Sequence, residues 1–128
     1  MEFLKWDLLK PQLKDYKIIA FDYSYYSFYI LKEIDQQHPH ISIMSFSTDL
    51  ISWACRETNL DIIIPCGRID SHSRLVTGQD ALNYFLKYEI DLYIITSMNE
   101  GRVNSSLQEH LQHQALKANA RRTVVVNK

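Results

Sequence analysis

Asp22, Tyr23, Ser24, Tyr25, Tyr26 and Ser27 lie between an apolar stretch, Ile18 to Phe21, and a longer run with helical apolar spacing. A strand that turns directly into a helix offers backbone N–H groups to an anion, and such turns usually carry glycine. Tyrosine keeps the N–H groups but fills the space a phosphate needs. Were the turn to require φ > 0, each non-glycine residue there would add about 1–2 kcal/mol of strain. The turn holds no Lys or Arg, and Asp22 would repel a dianion. The hydroxyls and flat faces of Tyr23 and Tyr25 suit a sugar ring or a protein partner. Three readings stay open: turn residues leading into a core helix, a modified ligand loop, and a true phosphate loop.

The most polar segment is Gly67, Arg68, Asp70, Ser71, His72, Ser73 and Arg74. Arg68 or Arg74 can supply the positive charge that the tyrosine turn lacks; a solvated loop is the alternative. Glu109, His110 and His113 cluster near a helix start, and the two histidines share a face at i, i+3. With no third ligand in sight, no metal is assigned. Glu100 and Glu109 could act as an acid/base pair of the kind an isomerase needs. Ser47, Ser97 and Ser105 lack the His and Asp context of a nucleophile. The stretch VTGQDAL is not a phosphate-binding P-loop, since it lacks the Gly-Lys pair. No catalytic residue and no cofactor is assigned.

The elements that must position these residues alternate. KIIAF, ISIMSF, LDIIIP, DLYIIT and RTVVV read as short buried strands. SFYILKEIDQQ, STDLISWACRET, GQDALNYFLKY and SLQEHLQHQALKANA read as amphipathic helices, the second capped by Ser47 or Thr48. FLKWDLLKPQL reads as one further short helix ending near Pro11. This rhythm means βαβ units: a single α/β domain with a mainly parallel sheet of about five strands and helices on both faces. Ligands then bind beyond the carboxyl ends of the strands, at Asp22 to Ser27, Phe46 to Asp49, Pro65 to Asp70 and Ser97 to Arg102. Cys66 to Gly78 is longer than an ordinary βα loop, a common sign of function.

The bulk numbers fit one such domain. There are 128 residues, 46% hydrophobic and 23% charged, with a formal net charge of −1. That balance gives no electrostatic footprint for nucleic acid. The 8 tyrosines are the compositional excess. Cys55 and Cys66 sit among apolar residues and read as reduced core thiols, which points to the cytoplasm. The amino-terminal residues, broken by Lys5, Asp7 and Lys10, do not form a signal peptide, and no apolar run reaches the length of a membrane span.

From IIIPCGRIDSHSRLVTGQDALNYFLKYEIDLYIITSMNEG onward the sequence resembles the C-terminal effector domain of DeoR-type transcription regulators, which is related in fold to ribose-phosphate and glucosamine-phosphate isomerases. Cys66 and Gly67 stand at the family's Gly-Gly pair. Val76 and Gly78 match the segment before the next helix, and Asp91 the aspartate before a strand. Gly101 fits the end of the glycine loop, Glu109 the helix glutamate, and Lys128 lies near the final Asp/Lys segment. FDYSYYS stands where the family has a Gly-Thr-Thr phosphate loop, and SFSTDLI where it has Thr-Asn-Ser. The resemblance spans nearly the whole of 1–128. It implies a ligand-sensing and oligomerisation domain of a regulator of sugar metabolism, for a phosphorylated sugar or related small molecule. Its ligand site would draw on Asp22, Tyr23, Ser24, Tyr25, Gly67, Arg68, Ser97, Glu100, Gly101 and Glu109. DNA would be reached only through an N-terminal helix-turn-helix, which these residues do not contain. The departures at Ser24, Tyr25, Tyr26, Phe46 and Cys66 imply an altered phosphate loop. A sugar-phosphate isomerase-like enzyme and an interaction module without ligand are the alternatives.

Overall fold

The computed structural model describes residues 2–96 and 107–127, and of Gln108 the backbone alone. The strands are β1 Glu2–Lys5, β2 Ile18–Phe21, β3 Ser42–Met44, β4 Asp61–Ile63, β5 Arg68–Asp70, β6 Leu75–Thr77, β7 Leu92–Ile95 and β8 Thr123–Asn127. The helices are α1 Trp6–Leu9, α2 Tyr25–Gln37, α3 Thr48–Glu57, α4 Gln79–Lys87 and α5 Leu107–Asn119, with a 3-10 segment over Lys10–Asp15. Six strands form one parallel sheet in the order β1-β8-β7-β2-β3-β4, and β5 and β6 pair as a separate antiparallel hairpin.

The alternation of side chains along each strand builds two cores. Ile19, Phe21, Ile43, Leu92, Ile94, Val124 and Val126 point to one face, where they meet Trp6, Leu9, Leu13, Ile30, Leu31, Ile34, Leu50 and Ala54. Ala20, Met44, Tyr93, Ile95 and Val125 point to the other, against Phe85, Ala115 and Leu116. So α1, α2 and α3 cover one face, and α4 and α5 cover the other. The expected α/β class with both faces covered is what forms. From β2 the chain first moves outward through β3 and β4, then returns to lay β7 on the opposite side of β2. The carboxyl ends of β2 and β7 are therefore the topological switch point, where open sheets of this kind leave a crevice.

Three expectations are corrected. Phe3 to Leu9 is not one helix: Glu2–Lys5 is an edge strand in register with Val124–Asn127, and Arg122 grips the Glu2 carboxylate at 2.6 and 2.7 Å. Burying Trp6, Leu9 and Leu13 is worth about 1.5–3 kcal/mol each, more than propensity differences of under about 1 kcal/mol per residue. Packing and the unpaired edge of β8 therefore decide where strand gives way to helix. Pro11 opens the 3-10 segment rather than stopping a helix, since its missing N–H is not needed there. The sheet gains β1 as its sixth strand by the same event. Lastly, Cys55 and Cys66 are exposed, not core. Cys55 follows buried Ala54 on α3, and one step along a helix turns a residue about 100° away from the core stripe.

Candidate functional site at the sheet switch point

The tyrosine turn needs no glycine. Ser24, the residue before α2, has φ −162° and ψ 170°, ordinary extended backbone. Among the described residues Arg74 is the one non-glycine with positive φ. The strain that glycines would relieve is absent from this turn.

What the turn holds instead is a closed polar network. The Asp22 carboxylate is 5% exposed and accepts the Thr96 backbone N–H at 2.9 and 3.0 Å and the Thr96 hydroxyl at 2.8 Å. With its proton given to Asp22, Thr96 Oγ1 accepts from the Ser24 hydroxyl at 2.5 Å. Ser27 Oγ lies 2.9 Å from the same oxygen, donates to the Asp22 carbonyl at 3.1 Å and accepts from the Ser24 N–H at 3.2 Å. The carboxylate thus puts a fixed negative charge at the head of the turn, and the turn's serine hydroxyls face inward to Thr96. Thr96 is a site residue that sequence reasoning missed. Its signal was present, as the one polar residue closing the apolar strand DLYIIT beside Asp22.

The three tyrosines diverge. Tyr23 is half-buried, edge-on to Phe28 with ring centroids 5.7 Å apart, and Phe28 packs on Trp53 at 4.6 Å. Tyr25 is 83% exposed. Tyr26 stacks on Tyr29 at 5.5 Å, and burial pushes its hydroxyl pKa up.

Beside the turn lies a crevice of about 160 Å³. Tyr23 enters it after β2, Phe46, Ser47 and Asp49 after β3, Ser73, Arg74 and Leu75 from the hairpin, and Glu109 from α5. Ser47 caps α3 by accepting the Leu50 N–H at 3.3 Å. The hairpin is fastened over the end of β3. Val76 N–H donates to the Phe46 carbonyl at 2.8 Å, and the Thr48 N–H and hydroxyl donate to the Arg74 carbonyl at 3.0 and 2.9 Å. Arg74 Nε lies 2.9 Å from Asp49 Oδ2, an exposed ion pair across the mouth. From the opposite side, Gln112 of α5 donates to the Val76 carbonyl at 2.5 Å.

Of the expected site residues, Tyr23 and Glu109 line this crevice, Asp22 and Ser24 lie in the polar network at the turn, and Tyr25 points to solvent. Gly67 and Arg68 line a separate cavity of about 240 Å³ with Thr77, Gly78 and Asp80. Gly67 serves close packing, since a Cβ there would meet the Thr77 carbonyl oxygen at 2.6 Å, and its φ is +157°. Ser97, Glu100 and Gly101 lie outside the described residues. Asp91 also has a structural task, its Oδ2 accepting the N–H groups of Lys17 and Ile18 at 2.8 and 2.9 Å. His113 Nδ1 meets the buried Tyr93 hydroxyl at 2.7 Å. Among the described residues no group of three His, Cys, Asp or Glu is placed to hold a metal ion, and no helix is long and apolar enough to cross a membrane.

A doubly wound parallel domain with a crevice at its switch point is the architecture of a small-molecule binding module. The chain belongs to the DeoR C terminal sensor domain family, whose sequence model matches residues 8–128. It is thus a domain of the kind that senses effectors in DeoR-type regulators of transcription. No curated protein and no solved structure matches it.

Proposed function

We propose that the chain is the effector-sensing and self-associating part of a cytoplasmic regulator of sugar metabolism, and that its effector binds in the Tyr23–Ser47–Arg74–Glu109 crevice. Family membership supports effector sensing. The observation that carries the location is the convergence of four separate segments on one crevice at the switch point. Its volume lies below the roughly 300–1,000 Å³ typical of drug-sized ligands, so it suits a small metabolite. Ser97, Glu100 and Gly101, which follow β7 in sequence, complete the proposed ligand set. The altered turn gives the site its difference from a glycine phosphate loop, because it carries the buried Asp22 carboxylate, bonded to Thr96, and no basic residue.

The test is thermal unfolding of the chain against a panel of carbohydrate metabolites, phosphorylated and free, beside a Ser47→Trp variant that fills the crevice. A panel member that raises the melting point by several degrees in the parent and not in the variant supports the reading. Equal shifts in both place the site elsewhere. A second reading, an interaction module without ligand, is favoured by the 83% exposure of Tyr25 and 52% of Tyr29 at i, i+4 on α2. It predicts no shift from any panel member.

A further inference from the structure

We infer that Arg74 reads an anionic group on the effector, a phosphate ester or a carboxylate, by giving up its partner Asp49 for that group at the mouth of the crevice. The inference deepens the crevice assignment above and rests on it.

The position of positive charge is the first ground. An anionic group bound at this end of the sheet needs a cation. The turn after β2 supplies none and holds the buried Asp22 carboxylate. Of the two arginines near the hairpin, Arg68 lines the other cavity. Arg74 is the one cation among the described residues lining the crevice. Its guanidinium is a rigid fork of donors that matches the oxygens of a carboxylate or a phosphate.

The backbone is the second ground. Arg74 has φ 58°, in the left-handed region where glycine is the unstrained residue. The conformation is imposed from both sides. The Arg74 N–H donates to the Asp70 carbonyl at 2.7 Å, and the Arg74 carbonyl accepts the Thr48 N–H and hydroxyl. The side chain is therefore launched at the mouth whether or not Asp49 holds it. A bulky residue kept where glycine would be easier points to a use for its side chain.

The exchange itself is cheap. The Arg74 side chain is 67% exposed and that of Asp49 36%, and ion pairs so open to water contribute little to stability. Asp49 lies in the first turn of α3, two residues past the Ser47 cap, where the helix end still favours a negative charge after the arginine has left. Asp49 is thus a built-in competitor. An uncharged sugar leaves the pair intact, and free phosphate, with no other contact in the crevice, does not displace it.

The experiment is thermal unfolding of the whole chain with ribose 5-phosphate, glucose 6-phosphate, fructose 6-phosphate, their parent sugars, gluconate and inorganic phosphate, each titrated through the millimolar range. At least one anionic compound should bind about tenfold tighter than its parent sugar, the worth of a charge-assisted bond, and inorganic phosphate should give no shift. Arg74→Gly, which relieves the backbone, should unfold no lower than the parent without ligand, and should bind the anionic compound no tighter than the parent sugar. Arg74→Gln should lose the same preference. Asp49→Asn should tighten the anionic compound severalfold and leave the parent sugar unchanged. If both Arg74 variants keep the preference, if the parent sugars bind as tightly as their anionic relatives, or if inorganic phosphate shifts the chain as much as the esters do, the exchange is wrong, and the Ser47→Trp variant decides the crevice separately. If none of the compounds shifts the parent chain, both fall.

Discussion

Asp22 and Thr96 decide what the opening turn can do. A carboxylate that accepts two backbone contacts and a hydroxyl from one threonine is a fixed part of the fold, joining the ends of β2 and β7. Asp22→Asn puts an NH₂ against the Thr96 donors and removes the charge. A buried donor left facing donors costs about 1–3 kcal/mol, so the variant should melt several degrees lower without ligand. Calorimetry checks this, and an unchanged melting point would show that the network contributes nothing. Gly67 is the second decisive residue. Gly67→Ala sets a methyl 2.6 Å from a backbone oxygen at φ +157°, and should cost on the order of 1–3 kcal/mol. Denaturant unfolding would read this as a lower midpoint at unchanged slope. By contrast the tyrosines, which dominate the sequence locally, turn out to do different things, since Tyr23 lies ahead of the Ser24 cap and lines the crevice, while Tyr25 opens α2 and points to solvent.

Among elements, the parallel strands were legible as short continuous apolar runs, and the four longer helices by an apolar period of 3.6. The strand β1 was not. Phe3, Leu4, Leu8 and Leu9 satisfy helical spacing, and nothing local reveals that β8 has an open edge for Glu2–Lys5 to pair. The hairpin was missed for a related reason: Arg68–Asp70 is wholly exposed, so it carries no apolar alternation to read. Its docking depends on Phe46 and Thr48, far off in sequence. That Tyr23 and Glu109 share a crevice was legible because strand ends are predictable; that Gly67 and Arg68 line a different cavity follows from the hairpin's path. The amino-terminal segment itself is tied down by Lys10 at 2.7 Å from Glu33. Lys10 foremost, and then the Tyr29 hydroxyl, hold the Glu33 carboxyl below its ordinary value of 4.5. A carboxyl depressed by folding stabilises above its unfolded pKa, and that contribution is lost as pH falls through the lower folded value. The melting-point gap between the parent and Glu33→Gln should therefore be widest near neutral pH and close below about pH 4. A gap independent of pH would show that the pair acts through packing alone.

At the scale of the molecule, a near-balanced charge and an excess of exposed aromatic surface, with Tyr25, Tyr29 and Phe3 among the exposed side chains, favour self-association. Light scattering at micromolar concentration should give at least twice the 15.1 kDa chain mass; a monomer at every concentration would contradict it. The crevice faces away from a larger hollow of about 510 Å³ lined by Asp15, Lys17, Lys87, Glu89, Asp91 and Arg121. That hollow surrounds the amino ends of β2 and β7, the end of an open parallel sheet that ordinarily carries no ligand. The two ends give the central claim its most direct test. Amide chemical shifts of the labelled chain, followed while a carbohydrate metabolite that raises its melting point is added to saturation, should move at Tyr23, Ser47, Arg74 and Leu75. Shifts confined to Lys17, Glu89 and Arg121 at the opposite end, with the crevice residues unmoved, would contradict it.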